Sequence, residues 1–141
     1  MNDNKKFQIR TCGLSFIDNK LLLIAHNKNN KIYWVVPGGR CEFGEPAVKT
    51  IEREFLEELN LKVKVVKFLF YNESLPPEYP YHNLNLFFLL KPLNDKIRLG
   101  DDPILHSYKL FTQEELREID FFPNVKDKVI KNFEKWLEES L

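Results

Sequence analysis

One stretch, Pro46 to Leu59, carries its apolar residues at helical spacing while the segments on either side alternate apolar and polar residues at period two. That interruption constrains the fold more than any other feature. Upstream, Phe7 to Ile17 alternates, Asp18-Asn19 supplies a turn, and Leu21 to Ala25 is a short apolar run, which together read as a hairpin. Ile32 to Val36 is a third strand, rich in β-branched and aromatic residues and stopped by Pro37-Gly38-Gly39. Pro46 sits in the first turn of the helix, where its missing N–H costs nothing, and Asn60 closes the other end. Downstream, Leu61 to Phe70 and Leu84 to Leu90 read as strands around a proline-broken loop, Leu75 to Tyr81. Lys91 to Asp102 reads as a hairpin connection leading to a last strand, Ile104 to Phe111. Thr112-x-x-Glu115 is a capping box, and Val125 to Glu139 an amphipathic packing helix after Pro123. This order predicts an α/β fold with a mixed sheet between helices, and excludes a parallel doubly wound sheet.

The chain has 141 residues, the size of one domain, and can bury enough surface to stand without disulfide or metal staples. Lys plus Arg and Asp plus Glu both number 21, and this neutral balance excludes the basic excess expected of a nucleic-acid or anionic-membrane binder. Cys12 and Cys41 lack any Cys-x-x-Cys pattern, and His26, His82 and His106 share no metal-ligand spacing, so zinc is not expected. The polar terminus, residues 1–6, is expected to be disordered and residues 7–139 to form the domain. With no apolar leader and no membrane span, a cytoplasmic location is expected.

The helix and the loop before it carry the chemistry. Advancing about 100° per residue, Glu54, Glu57 and Glu58 fall within an arc of about 100°, beside the arc of Ala47, Val48, Ile51 and Phe55 that faces the core. Three carboxylates near a helix C-terminus repel one another and oppose the macrodipole; only Arg53, one turn before Glu57, offers relief. Alone they would read as a solvated acidic face. Gly38-Gly39, however, lets the preceding loop pass close to them, and Gly44 makes a second special position just before the helix. Acids packed against such a loop make an oxygen-lined site for a hard divalent cation, Mg²⁺ or Mn²⁺, which usually shares its remaining positions with substrate phosphates.

The run Gly39-x5-Glu45-x7-Arg53-Glu54-Phe55-x-Glu57-Glu58-x-Asn60-Leu61 resembles the Nudix box, residues 39–61 here, with Asn60 where the family has Gly. Asn is the side chain that best replaces Gly in a left-handed conformation. The resemblance, to MutT-like members of the Nudix hydrolase family, implies an αβα sandwich and hydrolysis of a pyrophosphate bond in a nucleoside diphosphate linked to another moiety. It implies Glu54, Glu57 and Glu58 as metal ligands, with a further ligand from the Gly38 or Gly39 carbonyl. Arg53 and Glu45 match the pair bracing loop to helix, and Arg53 joins the three acids in the catalytic set. The substrate is expected to meet Gly38, Gly39, Arg40 and Trp34. The family's general base varies between a box glutamate and a later acid, for which Glu73, Glu78, Asp101 and Asp102 are the candidates here.

Trp34 has a second reading, as does each of Tyr33 and Phe43: an aromatic side chain that packs in the core instead of stacking on a base. For the substrate, Pro77 stands 16 positions past the box, a family sign of ADP-ribose, and Tyr79 stands 18 past it, a sign of dinucleoside polyphosphates. Tyr81-His82 and Phe122-Pro123 are similar to those of small prokaryotic ADP-ribose pyrophosphatase-like members, which carry Glu where Asn83 stands. ADP-ribose or a nucleotide sugar, a nucleoside triphosphate in a clean-up role, and non-catalytic nucleotide sensing therefore all stay open. The expected partner is a small nucleotide, with neither nucleic acid nor membrane, and a homodimer is compatible with the resemblance.

Overall fold

The computed structural model describes residues 6–141, so the expectation for residues 1–5 of the polar terminus lies outside the described residues. The strands are β1 (Phe7–Ile17), β2 (Lys20–Lys28), β3 (Lys31–Val35), β4 (Gly38–Arg40), β5 (Val63–Ser74), β6 (His82–Pro92), β7 (Leu105–Phe111) and β8 (Phe121–Phe122). The helices are α1 (Ala47–Leu59), α2 (Gln113–Arg117), α3 (Lys126–Lys131) and α4 (Phe133–Glu139).

The β1–β2 hairpin turns on Asp18 and Asn19, with φ of 53° and 64°, and the β2–β3 hairpin on Asn29 and Asn30, with φ of 53° and 65°. Positive φ at both central residues matches the twist of the flanking strands, and Asn and Asp tolerate it. The sheet runs β5-β6-β1-β2-β3-β8, with β4 also on β1 and β7 also on β2. It is mixed: β1 runs parallel to β6 and β3 parallel to β8, while the other pairs are antiparallel.

Period-two alternation sends side chains into two cores, one on each face of the sheet. Leu14, Phe16, Leu21, Leu23, Phe87 and Leu89 pack with Leu116, Val129, Phe133 and Trp136 of α2 to α4. Leu22, Ile24, Phe88 and Leu90 pack with Ile51, Phe55 and Leu59 of α1. The apolar run Leu21 to Ala25 is thus buried on both faces. This is the αβα sandwich expected from the sequence. Gly13 lets α1 seat closely on β1, since a Cβ there would stand 2.5 Å from the Phe55 ring.

Two expectations are corrected. Lys91 to Asp102 is not a hairpin connection, because β7 pairs with β2 and not with β6. Its end instead covers the C-terminus of α1: Arg98 N–H donates to Leu59 O at 3.0 Å and Gly100 N–H to Glu58 O at 2.9 Å. Those last carbonyls have no partner within their own helix, so the loop supplies one. The stretch Val125 to Glu139 is two helices and not one, divided at Asn132 (φ −103°, ψ 9°), whose side chain donates to Lys128 O at 2.9 Å. Two short strands, β4 and β8, carry no sequence signature of their own.

Candidate active site

Helix α1 ends as its sequence requires. Asn60 adopts the left-handed conformation (φ 54°, ψ 33°) and its N–H bonds back to Leu56 O and Phe55 O. Its side chain also donates to Arg98 O at 2.6 Å, tying the covering loop to the helix end.

Arg53 is the hub of the acidic cluster. Its Nε and Nη2 grip Glu45 through Oε2 at 2.8 Å and Oε1 at 3.0 Å, a bidentate pair. Thr50 Oγ1 donates to the same Glu45 Oε1 at 2.7 Å. The loop is thereby fastened to the helix. Arg53 Nη1 also reaches Glu54 Oε1 at 2.9 Å and Glu57 Oε2 at 3.3 Å. Hydrogen bonds from Arg53 and Thr50 hold the Glu45 carboxyl down at about 2. A carboxylate held below its ordinary value stabilises the fold above that value and loses the contribution as pH falls. The melting temperature is therefore expected to drop between about pH 4 and pH 2, and Glu45→Gln to flatten this stretch of a melting-temperature profile while lowering stability at neutral pH. An unchanged acid profile in the variant would remove the brace from the account.

Glu54 and Glu58 form the inner pair. Burial, and a hydrogen bond with the neighbouring Glu54, push Glu58 up to about 9. Two adjacent carboxylates in a poorly hydrated place oppose ionisation, and this is why Glu58 is held up. Gly39 closes the pair from the loop side: a Cβ there would fall 2.3 Å from the carboxyl carbon of Glu54. Glu57 is different, with its side chain 58% exposed and lying on Arg53. Among the described residues no three acidic, histidine or cysteine side chains already converge as a finished metal site. The donors present are nonetheless carboxylate oxygens, and this set fits a hard divalent cation. Gly39 O already accepts from Thr11 Oγ1 at 3.1 Å.

Beside Glu58 opens a cavity of about 180 Å³, floored by Arg10 and Cys12 and walled by Tyr33, Tyr79, Asn83 and Phe122. Gly38 lines it, while Arg40 is exposed and borders a separate groove with Phe7 and Phe43. Trp34 does not line it; its ring packs edge-on against Phe111 at 4.9 Å in the core. Tyr33, one residue earlier, faces the cavity in its place, so Tyr33 is not the core residue of its second reading. Neither is Phe43, which is fully exposed. Both corrections follow from the pleat, which turns neighbours to opposite faces, and from the loop that carries Phe43 outward.

Of the later acids, Glu73 pairs with His82 Nε2 at 2.6 Å and Glu78 lies next to Tyr79. The charge of Asp102 bears on both Glu58 and His26, which places it by the site. Arg10 and Asn85 are cavity residues that the local sequence reading passed over, and His26 and Asn83, named there on other grounds, line the cavity with them.

The NUDIX domain model matches residues 6–133. The chain belongs to the Nudix family. Its fold is shared with a Nudix hydrolase from Nitrosomonas europaea (TM-score 0.80, 17% identity, covering 92% of this chain and 90% of that one). It is also shared with the MutT protein from Methanosarcina mazei Go1 (TM-score 0.77, 18% identity, 93% and 95%). A third likeness is to an ADP-ribose pyrophosphatase from Streptococcus suis (TM-score 0.68, 19% identity, 94% and 91%). No curated protein matches the sequence. As a Nudix hydrolase the chain is an enzyme, and among the described residues no helix is long and apolar enough to cross a membrane.

Proposed function

We propose that this Nudix hydrolase cleaves the pyrophosphate bond of a nucleoside diphosphate linked to another moiety, such as ADP-ribose or a nucleotide sugar, using Mg²⁺ or Mn²⁺. The observation that carries the reading is the Glu54–Glu58 pair, closed by Gly39 and opening on a cavity with aromatic walls. Glu54 and Glu58, joined by Glu57, would hold the cation. When bound it would neutralise charge on the diphosphate and act as a Lewis acid.

The chain's own residues do the positioning. Arg53 fixes Glu54 and Glu57 from the helix and Glu45 from the loop, so both walls of the acid cleft hold one geometry. Arg10 sets a positive charge near Glu58, where a phosphate oxygen would be drawn in. With its aromatic walls, the cavity suits the organic part of the ligand.

The test is a panel of ADP-ribose, nucleotide sugars, nucleoside triphosphates and dinucleoside polyphosphates, each with Mg²⁺ and with Mn²⁺. Turnover of a linked diphosphate to a mononucleotide and a second phosphorylated product is expected; no turnover on any member would overturn the reading. Cation binding has its own readout. A ligand taken only by the folded state at about 100 times its Kd adds about 2.7 kcal/mol, so Mg²⁺ or Mn²⁺ should raise the wild-type melting temperature by several degrees and leave Glu54→Gln almost unmoved. Equal shifts in both proteins would show that the cation binds elsewhere.

A further inference from the structure

The last turn of α1 carries two of the three acids and is held from outside the helix. Glu57 and Glu58 stand at the end that the macrodipole makes negative, and no basic residue in that turn offsets them. Such a turn frays unless something other than water takes its free carbonyls. The loop between β6 and β7 does so, with Gly100 N–H donating to Glu58 O at 2.9 Å and Arg98 N–H to Leu59 O at 3.0 Å. Ile97 and Leu99, on either side of Arg98, pack with the core beneath α1. At Gly100 the loop lies so close to the helix that a Cβ would stand 2.2 Å from Glu57 O.

Asn60 fastens that loop. Its Nδ2 donates to Arg98 O at 2.6 Å while Arg98 N–H donates to Leu59 O, so the end of α1 takes both backbone groups of Arg98. A second amide secures the start of the loop: Asn94 Oδ1 accepts from Lys62 N–H at 2.8 Å, and its Nδ2 donates to Asn60 O at 3.4 Å. Ending the helix requires only the left-handed backbone of residue 60, which glycine adopts more freely than Asn. The amide donor of Asn60 is therefore additional to the turn, and its partner is the loop that holds Glu58.

We propose that Asn60 is a positioning residue: its side-chain donor locks the β6–β7 loop onto the last turn of α1 and so fixes the backbone from which Glu57 and Glu58 project. The consequence for a bound cation rests on the proposed hydrolysis, whereas the lock itself does not. Asn60 is not among the residues lining the cavity beside Glu58, so the organic part of a nucleotide there does not meet it. Loss of the donor should therefore weaken the cation site and leave nucleotide binding nearly unchanged, which appears in kcat and in the cation requirement and not in KM.

The experiment uses Asn60→Gly and Asn60→Asp, which both accept a left-handed backbone and share only the lost donor; the first adds backbone freedom and the second a charge. Amide hydrogen exchange is measured by NMR without cation, and Mg²⁺ is titrated against melting temperature and against turnover of the best member of the substrate panel. In both variants the amides of residues 57–60, Arg98 and Gly100 should exchange roughly fivefold faster, about the factor that one modest hydrogen bond supplies. The Mg²⁺ concentration at half-maximal melting shift should rise at least about threefold and kcat should fall by a similar factor, with KM for the nucleotide within about twofold. A shift in one variant alone traces to backbone freedom or to charge and overturns the proposal. Faster exchange in both with the Mg²⁺ midpoint unmoved also overturns it and leaves the hydrolysis reading intact. If the wild type shows neither a Mg²⁺ melting shift nor turnover of any panel member, the hydrolysis reading falls, and the exchange rates of residues 57–60 alone decide the lock. Should Asn60→Asp fail to fold, Gly100→Ala takes its place, since its Cβ would push the loop from Glu57 O with neither charge nor glycine freedom added; the same shifts support the lock and unchanged values overturn it.

Discussion

Glu58→Gln is expected to melt within a few degrees of the wild type and to turn over its substrate at least about 1,000-fold more slowly at saturating Mg²⁺. Both halves of this expectation come from the same environment. Burial and the adjacent Glu54 hold the Glu58 carboxyl up at about 9, so at neutral pH without a cation it is already protonated. Gln has the size of that neutral form and keeps a donor toward Glu54. Little folding free energy should change, and repulsion in the last turn of α1 can only decrease. A cation, by contrast, needs the ionised oxygens that the amide cannot supply. Glu57→Gln should also lose activity by orders of magnitude, although its carboxylate rests exposed on Arg53. Full turnover in either folded variant, read by steady-state kinetics beside thermal melts, would remove that acid from the proposed cation site.

The parts of the molecule that were legible in sequence are those fixed by local chemistry. Helix α1 needed only its apolar spacing, Pro46 in its first turn and Asn60 at its end. The first hairpin needed only Asp18-Asn19, residues that accept positive φ, whereas Asn29-Asn30 turns β2 into β3 inside a stretch that reads only as polar. Strand β8 failed this test because two residues, Phe121 and Phe122, have no period of their own; they are a strand only because Trp34 and Val35 pair with them. The division of labour between Tyr33 and Trp34 was illegible for a related reason. Alternation says they face opposite ways, but which way depends on packing against Phe111 and Phe122 from far along the chain.

Arg10 and Asn83 did leave a trace in the sequence. Arg10 continues the stripe of Cys12, Leu14 and Phe16 on β1, and Asn83 and Asn85 continue that of Phe87 and Leu89 on β6. In both strands an inward-facing apolar row becomes polar at its first members. Adjacent in the parallel β1–β6 pair, with Arg10 opposite Asn85, these residues mark where the packed core gives way to the cavity. The general signal is a polar residue in phase with a buried stripe, and it needs the strand pairing before it can be told from an exposed strand end.

Gly39→Ala should separate activity from folding most cleanly. An added Cβ would lie 2.3 Å from Cδ of Glu54 and 2.6 and 2.7 Å from its two oxygens, so the carboxylate must move. It is the far end of a flexible side chain, and the backbone of β4 can stay where Thr11 and Arg53 hold the loop. Melting is therefore expected to change by only a few degrees. Displacing one carboxylate by about 1 Å can cost about 100-fold in rate, and that loss is expected in kcat, with a higher Mg²⁺ or Mn²⁺ concentration needed for half-maximal activity. Gly38→Ala has the opposite profile, because its Cβ would meet the backbone oxygen of Thr11 at 1.9 Å and no side-chain rotation relieves the clash. That variant should lose the β1–β4 pairing and melt far earlier. A fully active, wild-type-like Gly39→Ala would mean that the closeness of loop and acid does not set the position of Glu54, and the loop would then act on the substrate alone.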